Sequence, residues 1–254
     1  MLRLLLSAHC LVYLSLRGIP HSAYVSPEVM ASCLSAMSGL ETLILHFHSG
    51  SVPPRSDLEG QRLPLLTPCA LPALTVLDFQ GVNPYLESLV ARIDAPLLCD
   101  LSTFMSVTFN VPHLHRFINH AKRLKTFCQA TLSCRGCSMR LTLSSQVGTV
   151  DYTALELGIQ YTFGDAILSS LAQICNLTSP LHSTVERLDI IADVYPVHRD
   201  DSKERKQWLD ILGLFPALKN LYLCNEMALR VTDALKKHAR EGGKGCCLHY
   251  GVCL

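Results

Sequence analysis

Leu71-Pro-Ala-Leu-Thr-Val-Leu-Asp-Phe79 is the stretch whose reading decides the fold. Leu74, Leu77 and Phe79 are separated by two spacers and then by one. In an extended chain successive side chains point to opposite faces, so Leu77 and Phe79 share one side while Val76, Asp78 and Gln80 share the other. The same spacing recurs at Leu11, Leu14, Leu16, at Leu40, Leu43, Leu45, at Val185, Leu188, Ile190 and at Leu218, Leu221, Leu223. Weaker copies stand at Leu98, Leu101 and at Leu124, Phe127. The starts at 11, 40, 74, 98 and 124 lie 24 to 34 residues apart, which is the period of a repeat architecture. Two strand-like runs, Met139 to Leu143 and Leu155 to Tyr161, fill the interval before Val185, which is about two repeats long.

Helical patterns lie between the short strands. Ser26-Pro27-Glu28 offers a capping residue followed by proline at the first helical position, and Asn83-Pro84 does the same before Tyr85, Leu86, Leu89, Val90 and Ile93. Further helices are predicted over 113–120, 165–174, 202–214 and 227–240. A single strand–helix unit cannot bury its own apolar face, but a stack of them can. The prediction is therefore an α/β fold: an irregular leucine-rich-repeat solenoid with a curved, mostly parallel sheet and helices on its other face. A regular repeat places Asn or Cys three residues after the third apolar position, whereas this chain has Ile19, His48, Val82, Asp193 and Glu226 there. Uneven curvature follows, and the proline-rich segment 52–68 reads as a long inserted loop. One domain is expected over 1–241, followed by a disordered tail over 242–254 with three glycines in its first four residues.

The segments from Leu71 to Leu98 and from Trp208 to Leu223 resemble the leucine-rich-repeat region of the large fungal family of F-box-domain proteins. The resemblance extends over about residues 11–240. It implies a non-catalytic recognition module, in which the repeats present a substrate and an F-box docks on the Skp1 adaptor of a cullin ubiquitin ligase. No F-box precedes the first repeat here, so a Skp1-type adaptor is expected as a partner only where an F-box is encoded upstream. The ending Cys246-Cys-Leu-His-Tyr-Gly-Val-Cys-Leu254 also departs from the family, which would continue with another strand. Both departures suggest a fragment or an imperfect gene model.

Bulk properties narrow the partners. Of the 254 residues 49% are apolar and 17% charged, which excludes a disordered chain, and the net charge of +1 gives no footprint for nucleic acid or an anionic membrane. No apolar run is long enough to span a bilayer, and His9 and Arg17 break the leucines that would otherwise read as a signal peptide. Twelve scattered cysteines fit reduced thiols in the cytoplasm or nucleus better than a disulfide scaffold. Asn176-Leu-Thr178 has the spacing of a glycosylation acceptor but no secretory context.

Chemical motifs are sparse. Cys134-Arg-Gly-Cys137, with Cys128 upstream, has the spacing of half a zinc site, but its only clustered complement, Cys246-Cys247 with His249, is more than 100 residues away. His46-Phe-His48 and His113-Leu-His115 pair imidazoles without a third ligand. Asp78, Asp94, Asp189 and Asp193 read as strand-end or turn acids, and Trp208 as core. No catalytic residue, cofactor or metal is predicted. The alternatives are a small thiol- or zinc-dependent enzyme using Cys134 and Cys137, or a fragment without function. The preferred site is the outward side of the strands: Tyr13, Ser15, Arg17, Thr42, Ile44, His46, Val76, Asp78, Gln80, Arg187, Asp189, Asn220 and Tyr222, facing an unidentified protein.

Overall fold

The structure, a computed structural model, describes residues 8–48, 68–106, 111–124, 126–136, 138–147, 150–160, 167–192, 201–224, 227–240 and 249–253. Nearly all of the predicted loop over 52–68 lies outside these residues. Where the spacing predicts one domain over 1–241, the chain divides into two compact units, Met1–Lys125 and Thr126–Leu254. Both are α/β, and most of their strand pairs are parallel.

The first unit runs β1 (Tyr13–Ile19), α1 (Pro27–Leu34), β2 (Thr42–Phe47), β3 (Cys69–Ala70), β4 (Val76–Val82), α2 (Asn83–Val90), β5 (Ile93–Asp94), β6 (Asp100–Ser106) and α3 (Pro112–His120). β1, β2, β4 and β6 lie side by side in parallel, and β3 and β5 form a separate parallel ribbon. The register places equivalent repeat positions in single rows: Leu14, Leu43, Leu77 and Leu101 in one, and Leu16, Leu45, Phe79 and Thr103 in the next. Leu43, Leu77, Leu101, Leu45 and Phe79 are fully buried, so the leucine spacing marks the core face. Tyr24, Phe47, Phe79 and Tyr85 close that core as a ring cluster, with Phe47 and Tyr85 centroids 4.6 Å apart. Glycine is required at position 81 because a Cβ there would come within 2.9 Å of both the Phe47 and Phe79 rings.

Helix entry differs between repeats. Ser26 caps α1, accepting a hydrogen bond from the Val29 amide, with Pro27 at the start as predicted. In α2 the N-cap is Val82, and Asn83 is already helical and buried. α3 follows Val111, which offers no side-chain cap. Its cap comes from the preceding repeat: both carboxylate oxygens of Glu87 accept from amides of α3, His113 at 2.9 Å and Leu114 at 2.8 Å. Glu87→Ala orphans the buried Leu114 amide and the part-buried His113 amide and is expected to cost about 1–3 kcal/mol. A urea midpoint unchanged from wild type would show that the two repeats are not joined through this cap.

The second unit runs β7 (Gln129–Arg135), β8 (Ser138–Val147), β9 (Val150–Gln160), α4 (Ile167–Leu177), a 3-10 segment (Ser179–Thr184), β10 (Arg187–Ala192), α5 (Asp201–Gly213), β11 (Asn220–Cys224), α6 (Met227–Arg240) and β12 (His249–Cys253). Its strand order is β9-β8-β7-β10-β11-β12. β7, β10, β11 and β12 pair in parallel, whereas β7–β8 and β8–β9 are antiparallel. The runs 139–143 and 155–161, which the spacing assigned to two further repeats, are thus the arms of one long hairpin. Alternation alone does not distinguish the two pairings, because each arm presents the same apolar face to the core. Trp208, Ile211, Leu171 and Ile174 pack as core, in agreement with the helical spacing around Trp208. The expected disordered tail is corrected over 249–253, where β12 pairs with β11 from His249 opposite Asn220 to Cys253 opposite Cys224. The remainder of 242–254 lies outside the described residues. Alternating Tyr250 and Val252 suffice for a strand once β11 offers an open edge.

Among the described residues no helix is long and apolar enough to cross a membrane.

Candidate interaction surface

Residues between the core positions form the outer rows of each sheet. In the first unit one row is Tyr13, Thr42, Val76 and Asp100, and the next is Ser15, Ile44, Asp78 and Ser102. His46, Gln80 and Phe104 form a third, beside which β1 departs from register. Tyr13 and Arg17 are exposed, and Ser15, Thr42, His46, Val76, Asp78 and Gln80 are half-buried. Ile44 corrects the expectation of an exposed position: it is only 7% accessible, being enclosed by Ser15 and Asp78 across the strands and by Thr42 and His46 along its own. In a central strand, cross-strand and same-strand neighbours on one face lie close enough to cover a side chain between them. His46 Nε2 lies 2.9 Å from Asp78 Oδ2, and the Arg17 guanidinium donates to Ser15 Oγ at 3.3 Å.

In the second unit the rows are Gln129, Arg187 and Asn220, and Thr131, Asp189 and Tyr222. Here side chains from three strands interlock. Gln129 Nε2 donates to Asp189 Oδ2 at 2.8 Å, Arg187 Nε donates to Asp189 Oδ1 at 3.0 Å, and the Arg187 guanidinium carbon lies 4.3 Å above the Tyr222 ring. An arginine held by a carboxylate on one side and an aromatic face on another has lost most of its rotamer freedom before any partner arrives. The hairpin adds the Arg140–Glu156 pair, at 3.0 Å, to the same side of the sheet. Sequence reasoning selected Arg187, Asp189, Asn220 and Tyr222 but missed Gln129, Arg140 and Glu156. Gln129 follows a weak repeat copy, and the hairpin residues could be placed only once β8 and β9 were known to run antiparallel.

The chemical motifs resolve differently. Cys134 is buried on the inner face of β7, and burial pushes its thiol up to about 11, away from the thiolate that metal binding or nucleophilic attack needs. Cys137 lies outside the described residues. Among the described residues no group of three or more His, Cys, Asp or Glu side chains is placed to hold a metal ion. His113 and His115 sit on α3, where residues two apart diverge, so the two imidazoles do not share a face. Asp94 pairs with His120 at 3.1 Å, and Asp193 is outside the described residues. Asn176 is exposed, but the hydroxyl of Thr178 is buried and bonded to His182 Nε2 at 2.8 Å.

Compared with protein-family models, curated proteins and solved structures, the chain matches none.

Proposed function

We propose that this chain is a non-catalytic protein–protein recognition module, an irregular leucine-rich-repeat solenoid that binds its partner on the outer rows of its strands. The observation that carries this reading is the Gln129–Asp189–Arg187–Tyr222 assembly. Arginine and tyrosine dominate the energetics of protein interfaces, and a prefixed pair costs little entropy to bury. The alignment of repeat leucines in Leu14, Leu43, Leu77 and Leu101, and again in Leu188 and Leu221, supports the repeat reading. By resemblance, the module corresponds to the substrate-binding repeats of an F-box adaptor in an intracellular ubiquitin ligase. Engagement of a Skp1-type adaptor requires an F-box encoded upstream.

The test places a photo-crosslinking residue at Tyr222, at Gln80 and, on the exposed side of α6, at Asp233. The expected result is one protein captured from Tyr222 or Gln80, not from Asp233, with capture from Tyr222 lost when that probe is combined with Arg187→Ala, its neighbour in the same unit. Equal capture from Asp233, or capture indifferent to Arg187→Ala, would mean that these rows are not the binding face.

A further inference from the structure

Among the described residues β1 has a strand neighbour on one side only, β2. The direction of its backbone groups follows from one bond: the Val12 carbonyl accepts from the Thr42 amide. Amide and carbonyl of one residue point to the same side of a strand, and the side alternates. Val12, Leu14 and Leu16 therefore turn their groups toward β2, while Tyr13 and Ser15, followed by Arg17, turn theirs to the open edge. Among the described residues, Val12 and Tyr13 are also two of the few large apolar side chains that stay exposed, at 51% and 57%.

Open edges are usually blunted by charge or a bulge. β1 carries both, but only at its far end. Gly18, with φ of 62°, ends the regular pairing, and the register slips between Leu16 and Ile19. The five residues before it, Tyr13-Leu-Ser-Leu-Arg17, are complementary to themselves when run antiparallel. With Ser15 opposite Ser15 of a second copy, Tyr13 falls opposite Arg17 and Leu14 opposite Leu16. This register is also the one that the backbone permits, because Tyr13, Ser15 and Arg17 are the residues with outward-turned groups, as hydrogen-bonded antiparallel pairs require. Arg17 already shares a face with Ser15, to which its guanidinium is bonded, so Tyr13 of the second copy comes to lie on that same face. Each of two guanidinium groups would meet a tyrosine ring across the dyad. A net charge of +1 opposes the approach of two copies very little.

We propose that β1 is a self-association edge, on which two copies of this chain pair antiparallel about Ser15. The pairing uses Tyr13, Ser15 and Arg17, which also stand on the outer side of the first unit, but it does not rest on the Gln129–Asp189–Arg187–Tyr222 reading.

Sedimentation equilibrium of the full chain, from low micromolar to several hundred micromolar, tests it. The expected result is a reversible monomer–dimer equilibrium for the wild type. Ser15→Pro removes an amide that serves only the open edge, so it should leave thermal unfolding unchanged and abolish the dimer. Should that variant fail to fold, Arg17→Ala decides: loss of two cation–π contacts should weaken dimerisation about five- to thirty-fold. Hydrogen exchange should slow with concentration at the Tyr13 and Ser15 amides and stay constant at Leu14 and Leu16. A wild type that remains monomeric throughout, or a dimer indifferent to both variants, overturns the proposal, and in the first case the edge is left to a strand from another protein.

Discussion

Leu77→Ala should lower the unfolding free energy by about 2–5 kcal/mol, whereas Gln80→Ala, three residues along the same strand, should change it by about 0.5 kcal/mol or less. The difference comes from the two faces of β4. Leu77 is fully buried in the row between Leu43 and Leu101, so truncation removes apolar contact and leaves a cavity bounded by side chains that cannot all collapse into it. Gln80 is a half-buried residue of the outer row, and its side chain can be exchanged for solvent. Leu221→Ala should act as Leu77→Ala does, since Leu221 is equally buried and lies opposite Leu188. Denaturant midpoints measure both classes. Shifts of similar size for Leu77→Ala and Gln80→Ala would mean that the inner and outer faces are wrongly assigned.

Acidification should destabilise the second unit through His182. The ring is fully buried and stacks on Phe215 at 4.3 Å, almost parallel, with Nε2 bonded to Thr178 Oγ1. Burial lowers its pKa from 6.5 to about 4, with the Leu214 backbone opposing the shift. The folded state therefore binds a proton less readily than the unfolded state. Between pH 6.5 and about 4 the unfolded chain takes up a proton that the folded chain refuses, so stability falls as pH falls through this window. Above it His182 is neutral in both states and its contribution is fully present. The loss across the window should be about 2–4 kcal/mol, on the scale of 1.4 kcal/mol per unit. Because carboxylates also begin to titrate near the lower limit, the comparison must be with His182→Gln, whose stability should fall less over the same range. Parallel pH profiles for the two proteins would show that His182 is not the proton acceptor.

Where sequence and structure disagree, the reason is physical in each case. Cys134-Arg-Gly-Cys137 reads by itself as a turn between repeats, but Cys134 lies inside β7, a strand fixed by its pairing with β8 and β10. Trp208 could be judged from its own surroundings, at helical spacing among apolar residues, and is buried. Ile44 could not, because its burial depends on how closely Ser15 and Asp78 approach from neighbouring strands. The segments 139–143 and 155–161 were legible as strands but not as a hairpin, since period-two alternation is blind to the direction of the neighbour. The tail residues 249–253 carry too short a pattern to declare a strand before β11 is in place beside them.

The sequence by itself determined the α/β class, the strands and helices that carry the repeat spacing, and which of their leucines face the core, because those follow from periodicities of two and 3.6 residues within short segments. Tertiary structure alone decided the division into two units, the antiparallel β8–β9 arm, the cap that Glu87 supplies to α3 and the bond from Gln129 to Asp189. The two bonds join residues 27 and 60 positions apart. Such a bond exists only when strand register and helix packing bring the donor and acceptor within about 3 Å, and no local pattern carries that information.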